Sequence, residues 1–450
     1  LRRRQRQMCI RDSVGTFQKN TSFGFVLPDD RHYDKDIFIS KKHMSGAKDG
    51  DKVVVRLTDF GGERKKPEGA VIEILGPMDD PATDVTSIIR AYGIEQEFPK
   101  SVMKEAQSVP QEISEQPGGK RVDFRNLLTV TIDGEDARDL DDAITLSKKD
   151  EKYYLGVHIA DVAHYVKEDS PLDKEALERA TSVYLADRVI PMLPRELSNG
   201  ICSLNAGTDR LAMSCMMTFD VNGNVLDHTI TESVICVDER MSYTGVKAIL
   251  EGQEHPEGER EDIRALCFLM KEAAAILKEK RRKRGAIDFD FPESKIIVDD
   301  KGYPIDIHPY ERNVATDIIE DFMLLANETV AQEYCTGDYP FVYRTHENPD
   351  PEKIESLLML LHNEGVNIQK SGQEITPGEI QEILESIEGM PNEAQISRLT
   401  LRTMKQAKYT TECSGHFGLA AKYYCHFTSP IRRYPVSYTH LRAHETLANL

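Results

Sequence analysis

The chain has 450 residues, of which 40% are hydrophobic and 30% are charged, and its formal net charge is −19. This length predicts two or more domains. The acidic balance argues against a protein that coats nucleic acid, but an enzyme with local basic strips is compatible with it. No apolar run approaches the ~20 residues that cross a bilayer. Residues 1–13 also lack the apolar centre of a secretory signal, so no membrane association is expected.

The cysteines predict the redox compartment. Eight of them are scattered along the chain, and none forms a CxxC pair. This pattern favours reduced thiols in a cytoplasmic protein over a disulfide framework or a zinc site.

The two ends of the chain differ in pattern from the segments next to them. Residues 1–13 (LRRRQRQMCIRDS) and 436–450 (VSYTHLRAHETLANL) resemble translated sequencing-adapter sequence. A basic tail and a C-terminal helix are the ordinary alternatives. We predict that both ends are artefact and exclude them from fold reasoning. An adapter match in the source DNA would support this, and genuine downstream coding sequence would contradict it.

Residues 14–76 contain five short alternating segments separated by turn signals, which predicts a small Greek-key barrel. Aromatic residues alternate along these segments close to lysine and arginine. Such rings bind single strands by stacking, at roughly 1–3 kcal/mol per base. For Phe25 and Phe38 a place in the core is at least equally expected, so Phe17 and Phe23 are the predicted stacking residues.

The rest of the chain predicts a connector and a large α/β region. Prolines punctuate residues 77–120, where short helices are expected at 84–92 and 100–107. From residue 121 onward, strands alternate with helices, and Asn222-Gly223 predicts a hairpin. Long helices are expected at 258–284, 313–334, 351–364, 377–387 and 394–408.

Six carboxylates fall within residues 133–142 (DGEDARDLDD), between apolar segments that read as strands at 127–132 and 143–146. Such crowding requires raised pKa values or a counter-cation, and oxygen ligands suit Mg²⁺ or Mn²⁺. The EF-hand pattern fails, because Gly134 holds its second position and Ile144 replaces its bidentate glutamate. A phosphatase-type DxD leaves Asp133 and Asp142 unexplained, and a solvated loop fits poorly between two buried strands.

The acidic stretch resembles the catalytic signature of the ribonuclease II/R family of 3′→5′ exoribonucleases. Other stretches similar to that family follow in order: HIADVAHYV (158–166), TSVY (181–184), IPMLP (190–194), CSLN (202–205), RMSY (240–243), RGA (284–286), IIEDFMLLAN (318–327) and SPIRRY (429–434). The resemblance covers residues 14–435. It implies a multidomain protein in which a cold-shock OB-fold barrel (14–76) and a connector (77–120) precede a truncated ribonuclease II-type α/β domain (121–435). The barrel resembles the second cold-shock domain of the ribonuclease R branch.

The resemblance also implies a metal site. The family holds Mg²⁺ and the attacking water with four aspartates, which match Asp133, Asp139, Asp141 and Asp142, and hydrolysis depends most on the match to Asp141. Mn²⁺ is the alternative ion. Glu135 and Asp136 are set aside as supporting residues.

Further residues match RNA-contacting positions of the family. Arg432 matches the arginine that contacts the phosphate, whereas Arg433 reads as a surface cation. Tyr184 resembles the tyrosine that stacks on the 3′-terminal bases. Glu320 matches an acid near the RNA 3′ end, with Asp321 as its rival.

Other polar residues are ambiguous or structural. His158, Asp161 and His164 straddle both faces of a strand and its exit, so we interpret them as packing and hydrogen-bonding residues. Basic strips at 280–284, 398–402 and 405–408 are equally compatible with backbone guidance and with a solvated helix face.

The implied activity is Mg²⁺-dependent, processive 3′→5′ hydrolysis of single-stranded RNA, and of structured RNA in the ribonuclease R branch, to nucleoside 5′-monophosphates. A monomer is expected. The first cold-shock barrel, the rest of the catalytic domain and the C-terminal OB-fold domain are missing, so weak folding or activity is expected. The alternatives are a non-catalytic RNA-binding or regulatory relative, which would need a lost aspartate, and a metal-dependent phosphatase or DNA nuclease.

Overall fold

A computed structural model describes residues 12–447 except for 31–34, 63–64, 114–119, 289–293, 300, 310–311, 367–371 and 373, and for residues 441–447 it describes the backbone only. The described chain divides into two compact units. The first contains residues up to 99 together with 183–190 and 293–310. The second contains 100–182, 191–292 and the residues from 311 onward.

The described strands and helices follow in chain order. The strands are β1 (Asp12–Lys19), β2 (Phe23–Pro28), β3 (Ile37–Ser40), β4 (Asp51–Asp59), β5 (Glu68–Pro77), β6 (Val122–Asp123), β7 (Thr129–Asp133), β8 (Asp142–Lys149), β9 (Lys152–Ala160), β10 (Val183–Tyr184), β11 (Val189–Ile190), β12 (Asp209–Phe219), β13 (Val225–Cys236), β14 (Glu239–Ser242), β15 (Ser294–Val298), β16 (Pro304–Pro309), β17 (Tyr343–Thr345) and β18 (Lys408–Thr410). The helices are α1 (Pro81–Ala91), α2 (Lys100–Ser108), α3 (Val162–Tyr165), α4 (Pro171–Arg179), α5 (Tyr243–Leu250), α6 (Glu261–Arg284), α7 (Val314–Thr336), α8 (Pro351–Asn363), α9 (Pro377–Ile387), α10 (Glu393–Thr403) and α11 (Tyr434–Leu447).

In the first unit, five strands close into a barrel in the order β1-β2-β3-β5-β4. The pairs are antiparallel, apart from the parallel contact between β3 and β5. Helix α1 follows the barrel, and the Asp80 side chain caps it by accepting a hydrogen bond from the Ala82 amide. The predicted five-stranded barrel is therefore confirmed.

The second unit is built on a mixed sheet with the strand order β14-β7-β8-β9-β12-β13-β6. Its inner strands pack against α6 and α7, and residues such as Ile144, Val157, Met213, Met270 and Phe322 form one continuous core. The hairpin predicted at Asn222-Gly223 joins β12 to β13. The strands that carry the acidic stretch therefore lie inside a covered sheet.

A smaller core joins α8, α9 and α10 through Ile354, Ile380, Ile383 and Ile396. The predicted helix over 394–408 is too long, because α10 ends at Thr403 and residues 408–410 become strand β18. That strand pairs with β17, so tertiary pairing replaces the last helical turn.

Helix α11 contains residues that the sequence pattern assigned to foreign sequence. Val436 and His440 are fully buried there, and the His440 Nε2–H donates to the Phe427 carbonyl at 2.6 Å. The artefact origin of residues 1–13 and 436–450 stays a prediction, as do the domain boundaries at 76, 120 and 435.

Phe17 is wrongly predicted as a stacking residue. Its exposed fraction is 0%, and it packs inside the barrel with Val26, Ile37 and Ile39. A Cβ built on Gly24 would lie 2.4 Å from the Phe17 ring, so that glycine makes room for it. The ring faces inward because the alternation of β1 places it on the core face.

We expect Phe17→Ala to destabilise the barrel by about 3–5 kcal/mol, because it leaves a cavity in a closed core. Hydrogen exchange of the β1–β5 amides measures this loss. The matched substitution Phe25→Ala removes a half-buried outer ring and should cost much less. Equal losses in the two variants would contradict the assignment of Phe17 to the core.

The motif at 158–161 is structural. The fully buried His158 ring lies 2.6 Å (Nδ1) from Ser214 Oγ and 3.2 Å (Nε2) from Thr145 Oγ1. Asp161 accepts a hydrogen bond from the Arg121 guanidinium at 2.6 Å. These contacts confirm the interpretation of His158 and Asp161 as packing and hydrogen-bonding residues. Burial lowers the pKa of His158 to about 3.

This pKa predicts acid sensitivity. An unfolded histidine protonates near pH 6.5, whereas folded His158 stays neutral down to about pH 3, so stability is lost as the pH falls through this window. We expect His158→Gln to reduce the slope of the unfolding free energy against pH. The reduction should be up to ~1.4 kcal/mol per pH unit, which corresponds to one proton. Urea titrations between pH 4 and 8 test this. Parallel curves for both proteins would show that His158 does not contribute.

Candidate active site

The acidic stretch forms the loop between β7 and β8. Asp133 ends β7, Asp142 begins β8, and Asp141 is 2% exposed. Glu135 and Asp136 are exposed to solvent. The fold thus separates the four predicted metal ligands from the two carboxylates that were set aside.

Two stretches far along the chain hold this loop in place. Ser203 Oγ donates to the Arg138 carbonyl at 2.8 Å and accepts from the Leu140 amide at 3.1 Å. The Arg240 guanidinium donates to the carbonyls of Glu135 (3.0 Å) and Ala137 (2.6 Å). These residues lie in two of the family-like motifs, which explains physically why those motifs accompany the acidic stretch.

The loop concentrates negative charge in a buried place. Burial and the charges of Asp142, Asp141 and Asp139 raise the pKa of Asp133. Burial raises the pKa of Asp141 to about 7, although the Arg432 charge and the Ile431 amide act in the opposite direction. Burial also raises the pKa of Asp142. Such a cluster favours the binding of protons or of a cation.

Arg432 reaches this cluster from a segment 290 residues away. Its Nε lies 3.3 Å from Asp141 Oδ2, and the Ile431 amide donates to Asp141 Oδ1 at 2.8 Å. The Arg432 Nη2 donates to Ser429 Oγ at 2.9 Å. The Arg432 side chain stays 41% exposed.

Asn327 on α7 positions the start of that segment. Its buried Oδ1 accepts hydrogen bonds from the amides of Phe427 (2.8 Å) and Thr428 (3.3 Å). In the sequence, Asn327 shares one face of an otherwise apolar helix with Thr316 and Glu320, and such a polar stripe is expected to face a site or a network. The signal was present, since an asparagine in an apolar helix must bond to something when buried.

The donors fit a hard divalent cation. Asp133 Oδ2 is buried without a hydrogen-bond partner, and Asp141 Oδ2 has the ion pair with Arg432 but no hydrogen bond. Carboxylate oxygens are the ligands that Mg²⁺ prefers. Within the described part of the chain, no group of three or more His, Cys, Asp or Glu side chains is placed to hold a metal ion. The structure therefore offers orphaned oxygens that suit a metal without showing its coordination.

Glu320 and Asp321 lie in ion pairs on α7. Glu320 contacts Arg312 at 2.8 Å and Arg281 at 3.5 Å, and Asp321 contacts Arg281 at 2.7 Å. Glu320 is the more exposed of the two, whereas Asp321 is almost fully buried. Exposure favours Glu320 over its rival as a residue that a ligand can reach.

The predicted RNA-stacking residues belong to the first unit. Tyr184 lies in the hairpin of β10 and β11 with 52% of its surface exposed. Phe23, Phe25 and Phe38 form an outer aromatic face, with ring centroids 5.5–5.9 Å apart. Lys66 Nζ lies 4.4 Å from the centroid of the Phe25 ring. The sequence analysis missed Phe25 and Phe38 as members of this face.

Most of the predicted basic strips are satisfied internally. Arg281 pairs with Asp321 and Arg284 with Glu328, both across α6 and α7. Lys405 and Lys408 both pair with Glu347. These contacts favour a structural role for these cations.

Comparison with known proteins defines the class. The cold shock domain matches residues 25–99 and the RNB domain matches residues 121–449. The protein therefore combines a cold-shock barrel with an RNB domain, and the chain belongs to the RNB domain family. This confirms the predicted fold class and family resemblance.

Its relatives are ribonucleases R. The protein of Thermotoga maritima is 45% identical over 426 residues, which cover 94% of this chain and 60% of that protein. The Mycoplasma genitalium RNase R structure in complex with ribose methylated single-stranded RNA has a TM-score of 0.90 and 28% identity, covering 96% of this chain and 68% of that one. The same enzyme in complex with double-stranded RNA gives a TM-score of 0.92 at 28% identity, covering 97% and 77%. The chain thus spans about 60% of its Thermotoga relative.

None of the helices in the described ranges has the length and apolarity to cross a membrane.

We expect Asn327→Leu to destabilise the segment that carries Arg432, because it leaves the amides of Phe427 and Thr428 unpaired in a buried place, at about 1–3 kcal/mol each. Faster hydrogen exchange of these two amides measures the effect. Thr336→Ala, at the end of the same helix, is the matched control, since Thr336 Oγ1 bonds only within α7 among its described contacts. Unchanged exchange in Asn327→Leu would contradict the positioning role.

Proposed function

We propose that the protein is a 3′→5′ exoribonuclease that hydrolyses single-stranded RNA, and structured RNA, processively to nucleoside 5′-monophosphates with Mg²⁺. One observation carries the proposal. The buried Asp141 carboxylate, next to the buried Asp142 and on the same loop as the half-buried Asp133 and Asp139, lies between the Ile431 amide and the Arg432 guanidinium. This arrangement combines oxygen ligands for a metal with a planar cation for a phosphate.

The residues have separate tasks in this proposal. Asp133, Asp139, Asp141 and Asp142 would hold Mg²⁺, or Mn²⁺ as the alternative. When bound, such an ion lowers the pKa of water and neutralises charge on the phosphate oxygens. Arg432 binds the non-bridging phosphate oxygens, and its charge stabilises the transition state. Asp141 also orients Arg432 through their ion pair.

Other residues would select RNA. The exposed ring of Tyr184 would stack on the 3′-terminal bases, and Glu320 would contact the 3′ end. Phe23, with Phe25 and Phe38, would stack upstream bases, and Lys66 adds positive charge there. Contacts to the 2′-hydroxyl would discriminate against DNA. The relatives bound to single-stranded and double-stranded RNA support RNA as the substrate.

The alternative is a non-catalytic RNA-binding relative. The presence of all four aspartates favours the enzyme, and a buried carboxylate cluster without a chemical role would be costly. We further propose a cytoplasmic monomer. The seven cysteines among the described residues are free thiols, which supports a reducing compartment.

We expect the chain to shorten 5′-labelled single-stranded RNA from its 3′ end and to release 5′-monophosphates only when Mg²⁺ is present. Asp141→Asn should lower the rate by on the order of 10²–10³, because both a metal ligand and the partner of Arg432 are lost. Glu135→Gln is the matched control and should keep most of the activity, since Glu135 is exposed. Gel assays with RNA and with DNA of the same sequence measure these effects.

The outcomes separate the candidate functions. RNA binding without hydrolysis in every condition would favour the non-catalytic relative. Equal cleavage of DNA would favour a DNA nuclease, and release of phosphate from monoesters would favour a metal-dependent phosphatase. Processivity is tested by adding an excess of unlabelled RNA as a trap after the labelled RNA has bound. Formation of the same products from the labelled RNA in this single turnover would support processivity.

A further inference from the structure

Tyr409 lies on the short ribbon of β17 and β18, and two arginines are close to it. Arg344 and Tyr409 are direct neighbours in the register of this pair. The Arg344 guanidinium lies 4.7 Å from the centroid of the Tyr409 ring. Arg433 is near enough for its charge to lower the pKa of the Tyr409 hydroxyl, against the larger effect of burial. We call Arg344, Tyr409 and Arg433 the arginine–tyrosine site.

His426 holds the Tyr409 hydroxyl in place. The Tyr409 Oη lies 2.7 Å from His426 Nδ1. Burial and the nearby charges of Arg433, Arg344 and His416 lower the pKa of His426 to about 3, so its ring is neutral and can accept. The Tyr409 hydroxyl therefore donates its hydrogen bond to His426 Nδ1.

Arg432 and Arg433 act on different groups, although they are adjacent in the chain. The Arg432 Nε lies 3.3 Å from Asp141 Oδ2. The charge of Arg433 instead acts on Tyr409 and His426. The two arginines are consequently placed to serve different places on a ligand.

The arginine–tyrosine site carries positive charge without a neighbouring carboxylate among the described residues. Among the described residues, neither Arg344 nor Arg433 has a carboxylate within ion-pair distance, although the chain carries a net charge of −19. By contrast, Arg281, Arg284 and Lys405 all have such a partner. Arg433 is exposed and Arg344 is half-buried, so an external anion can reach this site.

We propose that the arginine–tyrosine site binds a phosphodiester of the RNA strand, separate from the phosphate that Arg432 contacts. The inference rests on RNA as the substrate in the proposed function. Tyr409 is a positioning residue, because its ring packs against the Arg344 guanidinium and its hydroxyl is held by His426. The site contributes binding and takes no part in bond cleavage.

The test is the binding of a 5′-fluorescein-labelled 20-nucleotide RNA to the 450-residue chain, measured by anisotropy. EDTA prevents hydrolysis, and the KCl concentration is varied between 50 and 300 mM. Arg344→Gln and Arg433→Gln should each weaken binding about 10-fold at 100 mM salt and reduce the log–log salt slope by about 0.7. Tyr409→Phe should weaken binding by a smaller factor, because both charges remain. With Mg²⁺, KM should rise in these variants while kcat stays constant.

Arg264→Gln on α6 is the matched control, since it removes an exposed charge and should change the affinity less than twofold. Arg433→Lys should restore the salt slope, and melting temperatures exclude unfolding. An effect equal to that of the control, a failure of the Arg433→Lys variant to restore the slope, or no RNA binding by the unsubstituted chain would overturn the site. Lost binding in the arginine variants of a chain that never hydrolyses RNA would support the site and contradict only the proposed activity.

Discussion

The second unit is organised around the burial of several carboxylates at one end of its sheet. Two like charges about 4 Å apart repel by roughly 4 kcal/mol at an effective dielectric constant of about 20. The strands β7 and β8 make this crowding unavoidable, because Asp133 ends one and Asp142 begins the other. Positive charge and hydrogen-bond donors must therefore be brought to the same place from elsewhere.

Contacts from distant parts of the chain meet this requirement. Arg432 and the Ile431 amide address Asp141, while Ser203 and Arg240 fix the loop backbone. Asn327 in turn holds the segment that leads to Arg432. A site assembled in this way is held by hydrogen bonds and an ion pair within the chain. Such preorganisation would lower the entropy cost of binding the metal and the phosphate of the proposed function.

The barrel shows where sequence reasoning fails and why. Phe23 and Phe25 are two residues apart on β2, so alternation alone places them on one face. Phe25 is also opposite Phe38 in the strand register, whereas Phe17 is opposite Val26. Grouping Phe17 with Phe23 separated Phe23 from its true neighbours. The register between strands decides which rings meet, and a single strand does not contain that information.

The sequence by itself determined the local features of this protein. Alternation and turn residues defined the barrel and the hairpin at Asn222-Gly223, and the family resemblance separated four aspartates as candidate ligands. Only the tertiary structure decided which distant side chains meet. It paired Arg432 with Asp141, placed Phe17 in the core, and left Arg344 and Arg433 without carboxylate partners among the described residues. Local patterns follow from backbone geometry, whereas contacts between residues hundreds of positions apart depend on how complete sheets and helices pack.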